Sequence, residues 1–383
     1  MKTYEVAIKT GILIFPFIAF LMTLPYLIRE YHKYGAISFL RAGIIYSFVL
    51  YLLIAYFMVI LPLPTFEEVS KLTTPTMQLI PFNFISDIIK NSSIVWNDIS
   101  SYLKVLKNPV IYTNLFNLIL ILPFGVYLRY YFKKNFWKTL FYSFLLSLFF
   151  ELTQLTGLYF IYPRPYRLFD VDDLIINTLG GVIGFAITPI FCLFLPTREK
   201  LDEMAFEKGK RVSFSRRTMA YLLDIAIFNI LVVLSISIIG TDNILDLYFE
   251  LYYLYFSVSV LLFKGKTIGK SIVRIKVVKE DGTVANIYQL LYRYFLRYII
   301  FLKMYDIINW SHNVSGLGSF SSFISVVIFV FAVYIYIKTF LDIITKKEQL
   351  FYEKMSKTKN ISMIEVNSTS SDNSVNNSNF EAN

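Results

Sequence analysis

Four carboxylates and the amides near them are the residues of this chain whose types and spacing can do chemistry. The run FDVDDLIINTLGGVIGF, residues 169 to 185, sets Asp170, Asp172 and Asp173 directly before a segment apolar enough to enter a bilayer, and Asn177 follows one turn later. Upstream, Asn114 and Asn117 stand three apart, as do Glu151 and Gln154, a spacing that puts each pair on one helix face. Acids at a membrane edge do three kinds of work. They hold and pass protons, they bind a divalent cation such as magnesium, or with neighbouring amides they hydrogen-bond the polar head of a lipophilic ligand. Arg164 and Arg167, in YPRPYRLFD, offer countercharge at the same place. Against all three stands the plainer reading, a polar network that only packs helices together.

The elements that must position these residues are membrane helices. Hydrophobic residues make up 56% of the chain, charged residues 17%, and the mean hydropathy is +0.56, too apolar for an ordinary water-soluble globule. Segments near the roughly 20 apolar residues of a span fall at 8–29, 38–62, 110–131, 136–159, 173–195, 218–240, 246–263, 287–308 and 319–341. The expected fold is therefore all-α, a polytopic integral membrane protein with about nine transmembrane helices. The eighth segment carries Arg293, Arg297 and Lys303 and has a flat, interfacial orientation as its alternative. The first, with Arg29 and Lys33 behind it and no small-residue cleavage site, reads as retained, not as a signal peptide.

Basic residues orient these spans. Lys133, Lys134 and Lys138, then Lys200, Lys208, Lys210, Arg211, Arg216 and Arg217, then Lys264, Lys266, Lys270, Arg274, Lys276 and Lys279 mark cytoplasmic loops. An odd count then puts the amino terminus outside, the carboxyl terminus inside, and the 160–172 loop outward. Asn114, Asn117, Glu151, Gln154, Asp172, Asp173 and Asn177 all fall near the outer leaflet in that topology. The small residues Gly180, Gly181 and Gly184 let another helix close on theirs.

The formal charge of +10 is accounted for by juxtamembrane lysine and arginine beside anionic lipid, so no nucleic-acid partner is expected. The single cysteine, Cys192, permits no internal disulfide, and His32 and His312 have no second ligand near them; neither a metal site nor a cofactor is expected. The charged stretch Thr197 to Ser215 separates two modules. The expected domains are a first helix and loop at 1–37, a membrane module at 38–195, a cytoplasmic linker at 196–212, a second membrane module at 213–362, and a disordered Asn/Ser-rich tail at 363–383. Between 63 and 109, PFNFISDIIK and SSYLKVLKNP have helical spacing and read as helices lying on the outer surface.

In the second module, RRTMAYLLD brings Arg217 and Asp224 two turns apart, where they can bond across helices. An intramembrane aspartate is either an ion or proton step or an interhelical anchor. GKTIGK, residues 265 to 270, lacks the spacing of a phosphate loop and instead leads into SIVRIKVVKEDG, a strand whose Asp281-Gly282 turn makes a small cytoplasmic hairpin.

Two resemblances follow from these residues. Asn117 with LPFG (Leu122 to Gly125), the E-x-x-Q of Glu151 and Gln154, and RLFDVDDLIINTLGG from Arg167 resemble the VanZ-like family over roughly 38–195. RRTMAYLLD, the stretch Gly265 to Asn286, and LYRYFLRY with Arg293 resemble the RDD family over about 213–362, with Glu353 standing where that family's closing aspartate is expected and Thr358 following. The first resemblance implies a bacterial cell-envelope protein, with low-level resistance to teicoplanin-type glycopeptides as the associated trait and no implied reaction. The favoured expectation is an envelope factor whose partners are membrane lipids and a lipid-linked envelope precursor or lipophilic glycopeptide. Its ligand-binding residues would be Asn114, Asn117, Glu151, Gln154, Arg164, Arg167, Asp170, Asp172, Asp173 and Asn177. Two alternatives stay open: an ion-coupled permease stepping protons through Asp224 and Glu151, and a magnesium-dependent lipid-phosphate enzyme using the aspartate triplet.

Overall fold

The computed structural model describes residues 2–92, 109–239, 247–312, 319–345, 347 and 349–364. SSYLKVLKNP, except its final Pro109, and all but the first residues of the expected tail lie outside these. Among the described residues the chain is mostly helical, and six helices are long and apolar enough to cross a membrane: Glu5–Tyr34, Phe39–Ile60, Pro109–Tyr130, Val171–Cys192, Phe214–Ile238 and Ser322–Ile344.

The expected count of about nine fails at three places, each for its own reason. The segment at 136–159 does form a helix, Phe136–Leu155, but Thr139, Ser143, Ser147, Glu151, Thr153 and Gln154 are buried along it and interrupt its apolar run. The segment at 246–263 becomes the 15-residue helix Tyr248–Leu262, about 22 Å long at 1.5 Å per residue and short of a hydrocarbon core of about 30 Å. The segment at 287–308 breaks into Ile287–Tyr298, a π-helical turn at Ile299–Lys303, and Met304–His312. Its first piece is amphipathic, with Leu290, Arg293 and Tyr294 inward. With six candidates, an odd span count no longer places the two termini on opposite sides.

The chain divides into two compact units, Met1–Thr23 with Ser38–Leu201 and Leu24–Ile37 with Asp202–Asn383. In chain order the helices are α1 (Lys2–Tyr34), which contributes to both, α2 (Phe39–Ile60), α3 (Phe66–Ser70), α4 (Asn83–Ser92), α5 (Pro109–Tyr130), α6 (Phe136–Leu155) and α7 (Val171–Cys192). There follow α8 (Arg198–Lys210), α9 (Phe214–Ile239), α10 (Tyr248–Leu262), α11 (Ile268–Ile272), α12 (Ile287–Tyr298), α13 (Met304–His312), α14 (Ser319–Ile344) and α15 (Phe351–Met355). Two short sheets complete the structure. In the first unit β1 (Met77–Gln78) pairs in parallel with β2 (Phe169–Asp170). In the second, β3 (Ile275–Lys279) pairs antiparallel with β4 (Thr358–Ser362).

The local hairpin expected after Arg274 is thus only a tight turn. Gly282 has a φ of +89° and Val278 bridges Val284, yet the strand's ladder is completed by a segment near the carboxyl end. Val277 and Val278 are buried, and a two-stranded hairpin standing alone is marginal in water. Two of the cations read as cytoplasmic loop charge are also internal. Arg216 is fully buried and donates to the carbonyls of Gly209, Val273 and Arg274, and Lys270 is 8% exposed.

The first unit is organised by the contact of α5 with α7. A side chain at Gly125 would overlap the Gly181 carbonyl, one at Gly180 the Leu118 carbonyl, and one at Gly184 the Leu122 carbonyl. Small residues at these points let the two backbones touch, which in a membrane replaces hydrophobic driving force with close packing. Further along α7, Pro189 has no N–H for the Phe185 carbonyl, and Arg129 of α5 donates to that oxygen at 2.7 Å.

The prediction is a contrast between two glycines. Gly125→Ala forces the two helix backbones apart and lowers the unfolding temperature of the purified protein. Gly43→Ala, where nothing lies within 4 Å, keeps or gains up to about 1 kcal/mol from helix propensity. Equal thermal shifts for the two variants would refute the packing account.

Candidate functional site

Glycine packing of α5 on α7 brings the polar ends of several helices to one level. α2 ends there with Val59 and Leu61, α5 begins there with Thr113 and Asn117, α6 ends with Glu151 and Gln154, and α7 begins with Asp173 and Asn177. Between them is a cavity of about 320 Å³, lined also by Phe116, Phe150 and Arg167. Six of the ten residues expected to bind ligand line it: Asn117, Glu151, Gln154, Arg167, Asp173 and Asn177.

Their bonds leave part of their capacity open. Asn117 donates from Nδ2 to Asp173 Oδ1 at 2.7 Å. Glu151, 3% exposed, accepts from the Asp170 amide at 3.0 Å. Gln154 donates to the Val59 carbonyl and Asn177 to Ser147 Oγ, while Asn177 Oδ1 is buried with no partner. Arg167 donates to the Leu61 carbonyl at 2.8 Å, and no ion pair joins it to Glu151 or Asp173 among the described residues. Arg167 thus offers Glu151 countercharge through space, without a direct ion pair. Arg164 donates to the carbonyls of Leu72 and Thr74, binding the connecting loop to the segment before β1.

The other four candidates lie outside the cavity lining. Asp170 caps α7 by accepting from the Asp172 amide at 2.8 Å, and burial pushes its carboxyl above the ordinary aspartate range, with that amide bond acting in the opposite direction. Asp172, 2% exposed, accepts from the Phe82 and Phe84 amides at 2.5 and 2.9 Å, and so fastens the start of α4 to the start of α7. Asn114 Nδ2 is buried without a partner but away from the cavity. The aspartate triplet is thus divided among three tasks, and no group of three or more potential metal ligands occurs among the described residues. Not signalled in the sequence is the end of α2, where the carbonyls of Val59 and of Leu61, just past the helix, hold Gln154 and Arg167. Backbone acceptors carry no residue-type signal, so nothing in the sequence marks them.

In the second unit, Arg217 and Asp224 do not bond to each other. Asp224, 1% exposed, accepts from Thr267 Oγ1 at 2.5 Å, the Gly269 amide at 2.7 Å and Tyr255 at 3.2 Å, so its carboxylate ties α9 to α10 and the start of α11. Arg217 and Arg293 instead converge on Glu353, at 3.0 and 2.5 Å. Arg293 also donates to Thr358 Oγ1 at 2.7 Å, and Asn360 donates to Glu353 Oε1 at 2.7 Å. Glu353 thereby joins α9, α12 and β4 through one carboxylate.

Burial alone would raise the Glu353 carboxyl, but the guanidiniums of Arg293 and Arg217 overcome it and hold it below the usual glutamate range. A carboxyl depressed in the folded state contributes stability that is complete above its unfolded value of about 4.3 and is lost as pH falls through the lower folded value. Glu353→Gln is expected to cost about 3–5 kcal/mol, because two guanidiniums lose their buried partner, and to remove the loss of stability that wild type shows below about pH 4.3. Chemical denaturation in detergent across pH reads both effects, and an unchanged acid limb in the variant would refute the assignment. Asp172→Ala is expected to release the Phe82 and Phe84 amides at about 1–3 kcal/mol each. Hydrogen exchange over 77–89 should rise in that variant while the remainder of the unit stays protected.

The comparisons agree with this division into units. The VanZ/LLP1 family model matches residues 48–192 and the RDD family model matches residues 211–346. No curated protein and no solved structure matches the chain. The chain is a multi-pass membrane protein in which a VanZ-like family domain is fused to an RDD family domain.

Proposed function

We propose that the VanZ-like domain is a binding module of the bacterial cell envelope that takes the polar head of a lipophilic ligand, a lipid-linked precursor or a lipoglycopeptide, into the cavity at the outer leaflet. The observation that carries this reading is the meeting of Asn117, Glu151, Gln154, Asp173 and Asn177 around one 320 Å³ space whose wall also includes Phe116, Leu120 and Phe150. Amides and carboxylates accept and donate to hydroxyls, amides and ammonium groups, and the apolar wall suits a hydrocarbon or aromatic neighbour. Sites of this kind combine an apolar lining with a few convergent polar groups.

The outward direction rests on charge. Arg129, Lys133, Lys134 and Arg198 gather around a second cavity of the same unit, at the opposite ends of α5 and α7 from the acids. Lysine and arginine favour the cytoplasmic side, which turns the acid end outward. The aspartate triplet favours binding over a magnesium-dependent reaction, since Asp170 and Asp172 are engaged by backbone amides and only Asp173 lines the cavity. Proton stepping through Asp224 is disfavoured by the three donors already on its carboxylate.

The test is the susceptibility of a sensitive Gram-positive host to teicoplanin and related lipoglycopeptides, with wild type or Asp173→Asn expressed at equal membrane abundance. Wild type is expected to protect and the variant to lose that protection, because Asn117 then faces an amide in place of a carboxylate. Equal susceptibility of cells with wild type, with Asp173→Asn and with no added protein would overturn the resistance reading.

A further inference from the structure

The second unit contains a cavity of about 260 Å³. α9 contributes Arg217 and Tyr221, α11 contributes Lys270, α12 contributes Arg293 and Arg297, and α15 contributes Glu353, with Phe301, Thr339 and Ile343 completing the wall. Four cationic side chains thus face one carboxylate. Asp224 also acts on Lys270 from behind the wall, and even with it included the cations outnumber the acids.

The cations differ in how far their charge is answered. Arg217 and Arg293 share Glu353. Lys270 donates to the Tyr294 hydroxyl at 2.9 Å. Burial, and then the guanidiniums of Arg293 and Arg297, hold its ammonium well below the usual lysine range. Arg297 has no hydrogen bond or ion pair among the described residues. Its guanidinium is stacked 4.0 Å from the Tyr221 ring centroid and 5.1 Å from that of Phe256, which fixes the plane and leaves the fork of N–H donors for a ligand. A planar guanidinium of this kind suits carboxylate or phosphate oxygens bound two at a time.

We propose that this cavity binds a net-anionic phosphate ester, presented as the headgroup of a membrane lipid, with Arg297 as its principal contact. Two features favour the lipid source. The cavity lies where the candidate span Phe214–Ile238 begins and where Ser322–Ile344 ends, with Phe214 and Ile343 both in its wall, so it sits at the level where headgroups meet spans. Its volume is also below the roughly 300–1,000 Å³ of sites that enclose drug-sized ligands, enough for a headgroup with its acyl chains left outside. The free acceptor Asn360 Oδ1, on another cavity residue, matches a headgroup hydroxyl.

The experiment titrates the full chain in nonionic detergent with short-chain phosphatidylglycerol, with short-chain phosphatidylcholine, or with inorganic phosphate, and reads the unfolding temperature. Saturable stabilisation by phosphatidylglycerol is expected, weaker by about tenfold or more in midpoint for Arg297→Gln, as follows from one lost charge-assisted contact. Arg297→Lys, which keeps the charge, should fall between the two. Lys354→Gln, an exposed lysine on α15, should match wild type. The proposal is overturned if phosphatidylcholine stabilises as well as phosphatidylglycerol, or if Arg297→Gln and wild type share one midpoint. Stabilisation by inorganic phosphate alone, lost in Arg297→Gln, would retain the oxyanion site and reject the lipid as its source.

Discussion

The first domain depends on backbone touching backbone. Gly125, Gly180 and Gly184 have no side chain where the facing helix presents a carbonyl oxygen, and that approach sets both the separation and the register of α5 and α7. Register decides which polar groups meet. With Gly180 seated on Leu118 and Gly184 on Leu122, Asn117 comes level with Asp173 and their side chains bond. A wider helix pair would leave both groups buried without partners, a costly state in an apolar surround.

Much of the acidic sequence that attracts attention is spent on holding chain segments together. Asp170 caps a helix and Asp172 anchors two amides of the loop segment. Only Asp173 of the three faces the cavity, with Glu151 beside it. Adjacent acids in a sequence therefore serve different purposes, because the first residues of a helix point in different directions around its axis. The arginines of the connecting loop follow the same economy, meeting carbonyls that the irregular backbone leaves open.

The second domain answers its buried charges differently. Glu353 sits between two guanidiniums and fixes a segment from near the carboxyl end against α9 and α12, and β4 carries that segment on into the ladder with β3. The same inward arginines that make this clasp, together with Arg297 and Lys270, leave a cavity with excess positive charge. Clasp and cavity both follow from inward cations, Arg217 on α9, Lys270 on α11, and Arg293 and Arg297 on α12, the last an amphipathic helix that a count of apolar residues reads as a span.

Composition and motif spacing were enough to read a membrane protein, its division near residue 200, its two family domains, and Glu151, Gln154, Asp173 and Asn117 as candidates that the fold brings to one cavity. Those properties are local: apolar runs, glycine spacing and short motifs are each contained within one helix. The number of spans was not legible, because Phe136–Leu155 and Ile287–Tyr298 bury polar side chains against protein, and whether a polar residue faces lipid or a neighbour is a tertiary fact. Nor were the partners of the arginines. Arg167 meets Leu61, Arg216 meets Val273 and Arg217 meets Glu353, across separations of 106, 57 and 136 residues. Pairings over such distances are chosen by how helices pack and by which backbone acceptors remain unsatisfied, and only the folded chain decides that.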